Sequence, residues 1–243
     1  MYKQIVVPLD GSEQAEDAMR VAARIARHEG AAITLMQVVT AEAARGGDAV
    51  PVRVGELTER DDRRSAAEYL QRTAQAPALR GVPTETVVRD GSPAEQIEAE
   101  AVRRGADLIV LSHRQHGPAA SFFLGSVADA LLRHAQIPIL VLDSDDAARL
   151  GGASTAAAAR PVRALVPLDG SRPAEQAIPR AIELLRALET GRGATIHLAY
   201  VMDPKRAFRY DTPETAALHR ARAYLETTAE RVATDPANIS ITV

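Results

Sequence analysis

The sequence predicts the α/β class: a parallel sheet with helices on both faces, present once in full and once in part. Short apolar runs alternate with segments of helical period, at the spacing of βαβ crossovers. The hexapeptide Val-Pro-Leu-Asp-Gly-Ser occurs at Val7–Ser12 and again at Val166–Ser171, each time closing an apolar run and opening a helix pattern. Beyond it, Ala15, Glu16 and Ala18 recur as Ala174, Glu175 and Ala177, and Tyr-Leu-x-x-Thr-Ala recurs at Tyr69–Ala74 and Tyr224–Ala229. The repeating unit is well over a hundred residues long, beyond the length of a solenoid repeat, so two related domains in tandem are expected.

Each element has its own signal. Ile5-Val6-Val7 reads as a strand, and the small or apolar residues Ala15, Ala18, Met19, Ala22, Ile25 and Ala26 as one face of a helix that ends at Gly30. A second strand spans Ile33–Val39. The stretch Ala41–Val54 carries Gly46-Gly47-Asp48 and a proline and reads as a loop, with a helix following from Glu56 to Ala76. After a third strand at Thr84–Val88, Ser92-Pro93-Ala94-Glu95 has the residues of a capping box with proline in the first turn. Asp107–Leu111 reads as a strand covered on both faces, Gly125-Ser126 as a helix start, and Ile137–Leu142 as a fifth strand. Pro138 cannot donate a ladder bond, which places that strand at an edge or starts it there.

Residues 144–160, rich in Asp, Gly and Ala, read as a linker. The second copy then repeats strand (Arg163–Val166), helix, strand (Ala194–Val201), helix (Pro213–Ala233) and strand (Ile239–Val243), which corresponds to the amino-terminal half of the first. Such a half exposes the flank of a central strand if the fourth strand normally lies beside the first. Pro179, inside the copy's first helical pattern, predicts a kink.

Composition narrows the function classes. A net charge of -3 and few aromatic residues (3%) argue against nucleic-acid binding. The chain has no cysteine, which removes disulfides, thiolate catalysis and zinc–thiolate sites. No apolar stretch approaches a membrane span, and the start of the chain leads directly into a strand, so cytoplasmic residence is expected.

Ligands of open α/β sheets bind outside the carboxyl ends of the strands, where strand order reverses. Three pieces should meet there: Asp10-Gly11-Ser12, Gln37-Val38-Val39 and the loop from Ser112 to Ser126. Gly125-Ser126 at a helix start offers backbone N–H groups and a hydroxyl suited to phosphate, though such a pair is more often a plain helix cap. Asp10 suits a ribose hydroxyl or a phosphate-held metal, and equally a turn. His113 and His116 have no carboxylate nearby and read as solvated loop histidines rather than metal ligands. No Walker loop, GxGxxG, GxSxG or HExxH pattern is present, and no nucleophile sits beside a base.

Residues 1–143 resemble the universal stress protein family, and the second copy resembles the first half of the same domain. The residues that carry the likeness are Ile5–Ser12, Gly91–Glu95, Ala106–Leu111, Phe123–Ala128, Leu131–Ala135 and Pro138–Val141. The resemblance implies a five-stranded parallel sheet in the order 3-2-1-4-5, pairing through fifth strands and, in one subgroup, bound ATP. Laid on the ATP-binding members' G-x2-G-x9-G-[S/T] motif, this chain has Ser112, Gln115 and Gly125-Ser126, so two of the glycines are absent. By the same resemblance Asp10 is the ribose- or metal-facing acid and Val38 the backbone that meets adenine. Leu111, Ser112 and Gln115 belong to the phosphate loop, and Gly125, Ser126 and Val127 close it. In the second copy Asp169 and Val201 match Asp10 and Val38, without a phosphate loop.

The expected function is a non-enzymatic stress-response protein working by association. Its first-domain nucleotide site is weakened or vestigial, with ATP and magnesium the ligands if it binds any. The expected partner is a second copy, joined through the first domain's fifth strand. The alternatives are a genuine ATP sensor, and an enzyme that hydrolyses nucleotide or transfers adenylate.

Overall fold

Ile5, Val6 and Val7 are all fully buried, so β1 (Gln4–Pro8) is covered on both faces, as a central parallel strand must be. The computed structural model describes residues 2–40, 52–112, 125–151, 161–189, 193–201, 214–232 and 239–242. The chain divides into two compact units, residues 1–155 and 156–243.

In the first unit β1 is followed by α1 (Glu13–Glu29), β2 (Ala32–Val39), α2 (Val52–Ala74), β3 (Thr84–Asp90), α3 (Pro93–Arg103), β4 (Leu108–Ser112), α4 (Ser126–His134), β5 (Ile139–Leu142) and α5 (Ser144–Leu150). All five strands run parallel in the order β3-β2-β1-β4-β5, as expected. On one face Val6, Met36, Ile109 and Leu111 pack against Ile97 and Ala101 of α3 and Ala128 and Leu131 of α4. Alternation sends Ile5, Val7, Ile33 and Leu35 to the opposite face, where α1 and α2 lie. β5 is an edge strand that begins just after Pro138, whose carbonyl accepts from Ile109 N–H at 2.9 Å.

Three local expectations change. α2 begins at Val52, inside the stretch read as loop, and ends at Ala74. Ser92 precedes α3 with Pro93 in the first turn, but its side chain makes no capping bond; the carbonyl accepts from Gln96 N–H at 3.0 Å instead. The start of the supposed linker is α5. Asp143 caps it by accepting from Asp146 N–H at 2.7 Å, Ala147 and Leu150 are buried, and the Arg24 guanidinium donates to the Leu150 carbonyl at 3.2 Å. α5 packs on α1, so it belongs to the first unit. Its Asp-Ser-Asp-Asp opening, read as linker composition, supplies a cap and first-turn acids.

The second unit holds β6 (Val162–Leu168), α6 (Arg172–Glu175), α7 (Ala177–Leu188), β7 (Ala194–Tyr200), α8 (Glu214–Val232) and β8 (Ile239–Thr242), with a parallel sheet in the order β6-β7-β8. Pro179 has the expected effect. It cannot bond to the Glu175 carbonyl, and the helix breaks there, at Gln176, into α6 and α7. Among the described residues β6 pairs with β7 alone, whereas its twin β1 pairs with both β2 and β4. On the sheet face Leu165 is 69% exposed, where its twin Val6 is 0% exposed beneath α3 and α4, helices that have no counterpart among the second unit's described residues.

Candidate functional site

The strand order reverses between β1 and β4, and their pairing covers only Ile5↔Leu108 and Val6↔Ile109. Past those pairs the sheet opens into a cavity of about 390 Å³, within the range of small-molecule sites. Asp10, Val38, Leu111, Ser112, Gly125, Ser126 and Val127 all line it. Gln115, His113 and His116 lie outside the described residues.

Each piece is positioned by its element. The Asp10 carboxylate accepts from Ser12 N–H at 3.0 Å and from Ser12 Oγ at 2.5 Å, while Ser12 Oγ accepts from Ala15 N–H at 3.3 Å and caps α1. The turn-forming and ligand-facing readings of Asp10 are therefore compatible: one oxygen makes the turn, and the residue still lines the cavity. The second unit repeats this turn, with Asp169 accepting from Ser171 N–H at 2.9 Å. Hydrogen bonding from Ser171 holds the Asp169 carboxyl below its ordinary value.

Val38 lies beyond the last bond between β1 and β2, which runs from Leu9 N–H to the Met36 carbonyl at 2.7 Å. On β2, Ile33 and Val39 bond to the β3 side and Met36 to the β1 side, so alternation turns the N–H and C=O of Val38 toward β1, which has ended. A donor and an acceptor one residue's width apart suit the edge of a planar heterocycle. The walls here are apolar, from Met36, Pro93, Ile97 and Ala128.

At the other end Gly125 precedes α4 with φ 79° and ψ 148°, and as a glycine it offers no side chain to cap the helix. The N–H groups of its first turn have no intrahelical acceptor and form the positive end of the helix dipole. Asp129 adds a negative charge to that turn, offset by Arg133, whose Nε and Nη2 donate to its carboxylate at 2.9 and 3.1 Å. Those bonds hold the Asp129 carboxyl below its usual value. Among the described residues no group of three or more His, Cys, Asp or Glu could hold a metal, and no helix is long and apolar enough to cross a membrane.

The profile of the universal stress protein family matches residues 1–143 and 162–243. The chain belongs to this family. It is 33% identical over 144 residues to a universal stress protein of Thermus aquaticus, covering 58% of this chain and 99% of that one. It is 30% identical over 143 residues to the universal stress protein MJ0531 of Methanocaldococcus jannaschii, covering 58% and 82%. A universal stress protein from Archaeoglobus fulgidus DSM 4304 shares the fold over 98% of this chain and 75% of its own, with a TM-score of 0.61 at 18% identity.

Within this universal stress protein some cavity residues escaped sequence reading. Met36 and Ile97 line the cavity, and the signal for both is phase: Met36 is two residues before Val38 on the same face of β2, and Ile97 is one turn after Pro93 on α3. Gln37, on the opposite face of β2, has a buried Oε1 with no hydrogen-bond partner among the described residues. Replacing it with an apolar side chain of the same length removes that cost. Gln37→Met is expected to raise stability by about 1 kcal/mol, read from the urea midpoint.

The repeated Tyr-Leu-x-x-Thr-Ala also finds its place. Leu70 and Leu225 are buried, and the two tyrosines donate to the first helix of their own unit: Tyr69 Oη to Glu16 Oε1 at 3.3 Å, Tyr224 Oη to Glu175 Oε1 at 3.0 Å. Burial, then the Glu16 charge, pushes the Tyr69 hydroxyl up to about 12 from 10.0. A raised folded-state value means the contribution is whole below pH 10.0 and is lost as pH climbs through about 12. Urea denaturation should show stability falling across that window, with a smaller fall in Tyr69→Phe.

Proposed function

We propose that this protein acts in the stress response through association with other chains, and that its first unit carries an adenine-nucleotide cleft. The base and ribose end of that cleft is complete, and its hold on the outer phosphates is weak. One observation carries the reading: a single cavity at the switch point is lined by Asp10, by Val38 beyond the end of β1, and by Gly125–Val127 at an uncapped helix start. The residues present fit a nucleoside. The walls are apolar, Val38 offers a backbone donor and acceptor, and Asp10 is the one acid among the described lining residues, placed for a ribose or a phosphate-bound magnesium.

The weak hold follows from the resemblance. Where ATP-binding members have glycines, this chain has Ser112 and Gln115, and a side chain there keeps backbone N–H groups away from phosphate oxygens. Calorimetric titration should find adenosine, AMP and magnesium–ATP within about tenfold of one another, since outer phosphates that are barely held add less than about 1.4 kcal/mol. The uncapped start of α4 favours a second reading, a genuine ATP sensor. ATP binding more than about a hundredfold tighter than AMP, lost in Gly125→Ala, would establish that reading and reject the first.

Association is supported by two edges. β5 closes the first sheet with one flank beyond β4, and we place self-pairing to a second copy there. β6 leaves a second flank unpaired among the described residues, beside the exposed Leu165. We assign no catalysis, because Asp10, the cavity's one acid among the described residues, has a carboxylate oxygen committed to the turn and no base beside it on the described lining. ATP turnover abolished by Asp10→Asn would reject that assignment.

A further inference from the structure

We infer that Tyr69 is a positioning residue for the Asp10 turn, acting through Glu16; the inference rests on the cleft reading above. Neither Tyr69 nor Glu16 lines the cavity. They reach it through an unbroken line of hydrogen bonds. Tyr69 Oη donates to Glu16 Oε1 at 3.3 Å, Glu16 N–H donates to the Ser12 carbonyl at 3.2 Å, and Ser12 N–H and Oγ donate to the Asp10 carboxylate. Ala15, in the same helical turn as Glu16, is part of the cavity wall, so any shift of that turn moves two lining residues together.

The second unit contains the same circuit. Tyr224 Oη donates to Glu175, Glu175 N–H to the Ser171 carbonyl at 3.2 Å, and Ser171 N–H to Asp169. The tyrosine stands 53 residues after its glutamate in the first unit and 49 in the second, and the bond closes in both. The two sequence repeats, the hexapeptide with its following Glu and the Tyr-Leu-x-x-Thr-Ala, are thus the two ends of one device. Tyr69 also sits in the field of the Asp10 carboxylate, which helps to keep the phenol protonated and donating. The Glu16-to-Ser12 bond is the first backbone bond of α1, so a tie on the Glu16 side chain is transmitted through the helix start to the Asp10 turn.

The test uses the full chain with Tyr69→Phe, Glu16→Ala and Glu16→Gln. AMP affinity is measured by calorimetry, amide exchange at Gly11 and Ser12 by NMR without ligand, and stability by urea. Tyr69→Phe and Glu16→Ala should weaken AMP binding about three- to tenfold, the worth of one hydrogen bond, and speed exchange at Ser12 by a similar factor. Glu16→Gln, whose amide oxygen still accepts from the phenol, should stay within about twofold of wild type in both, because only the acceptor geometry is retained. Wild-type affinity and exchange in Tyr69→Phe, with or without a loss of urea stability, would overturn the inference and leave a purely structural tie. If the wild-type chain takes no AMP, the cleft reading fails separately, and exchange at Gly11 and Ser12 alone decides whether Tyr69 holds the turn.

Discussion

Glu100→Ala should lower the stability of the first unit by about 3 kcal/mol, the low end of the cost of breaking a buried ion pair. Glu100 lies in α3 with 1% of its side chain exposed, and both carboxylate oxygens are engaged. Oε2 accepts from Arg89 on β3, with Nη2 at 2.8 Å, and from Arg103; Oε1 accepts from Arg104 Nε at 2.5 Å. Truncation takes this acceptor from Arg89 and Arg103, leaves Arg104 with Glu85, and removes the Glu100 tie between α3 and the edge strand. The arginines are partly exposed, Arg103 to 51%, so water recovers part of the loss and keeps the cost near the lower bound. Glu100→Gln keeps an acceptor and should cost roughly half as much. Urea denaturation checks both, and a loss below about 1 kcal/mol for the alanine variant would mean that the network is no more than a surface cluster.

Gly125→Ala should cost about 2 kcal/mol of stability and weaken AMP binding about threefold, within the small share that the phosphates add, because Gly125 holds a backbone conformation that is essentially reserved for glycine. With φ 79° and ψ 148° the residue lies far from the α and β regions. An added Cβ would meet no atom within 4 Å, so the cost comes from the backbone alone and not from a clash. Relieving it requires the start of α4 to rotate, which moves the N–H groups that face the cavity. Gly30→Ala is the control. Gly30 is in the left-handed region at the end of α1, with φ 71° and ψ 29°, and its substitution should cost about 1 kcal/mol without touching affinity. Equal affinity for wild type and Gly125→Ala would remove the helix start from the site.

Much of the first unit could be read from its residues because the signals are local. The buried run of β1, the stripe of α1 and the Gly125-Ser126 start each follow from a few neighbours. The candidate cleft was legible for a topological reason: strand order 3-2-1-4-5 brings the ends of β1, β2 and β4 together, whatever the loops do. What was hidden depends on contacts between distant segments. α5 is too short to show a period, and its stability comes from Ala147 and Leu150 against α1. Glu100 falls three residues after Ile97 on the buried stripe of α3, a misplaced charge whose partner on β3 could not be assigned without the register of two elements. The Tyr69–Glu16 bond was present as two repeats, but their meeting needed the phase of two helices far apart in the chain.

The most direct test of the account is a crystal structure of the full chain grown with magnesium and ATP. It should show adenine against the backbone of Val38 and the ribose at Asp10, with the outer phosphates poorly ordered. A triphosphate gripped along its whole length by Gly125, Ser126 and the side chain of Gln115, or an adenine bound anywhere but Val38, would contradict it.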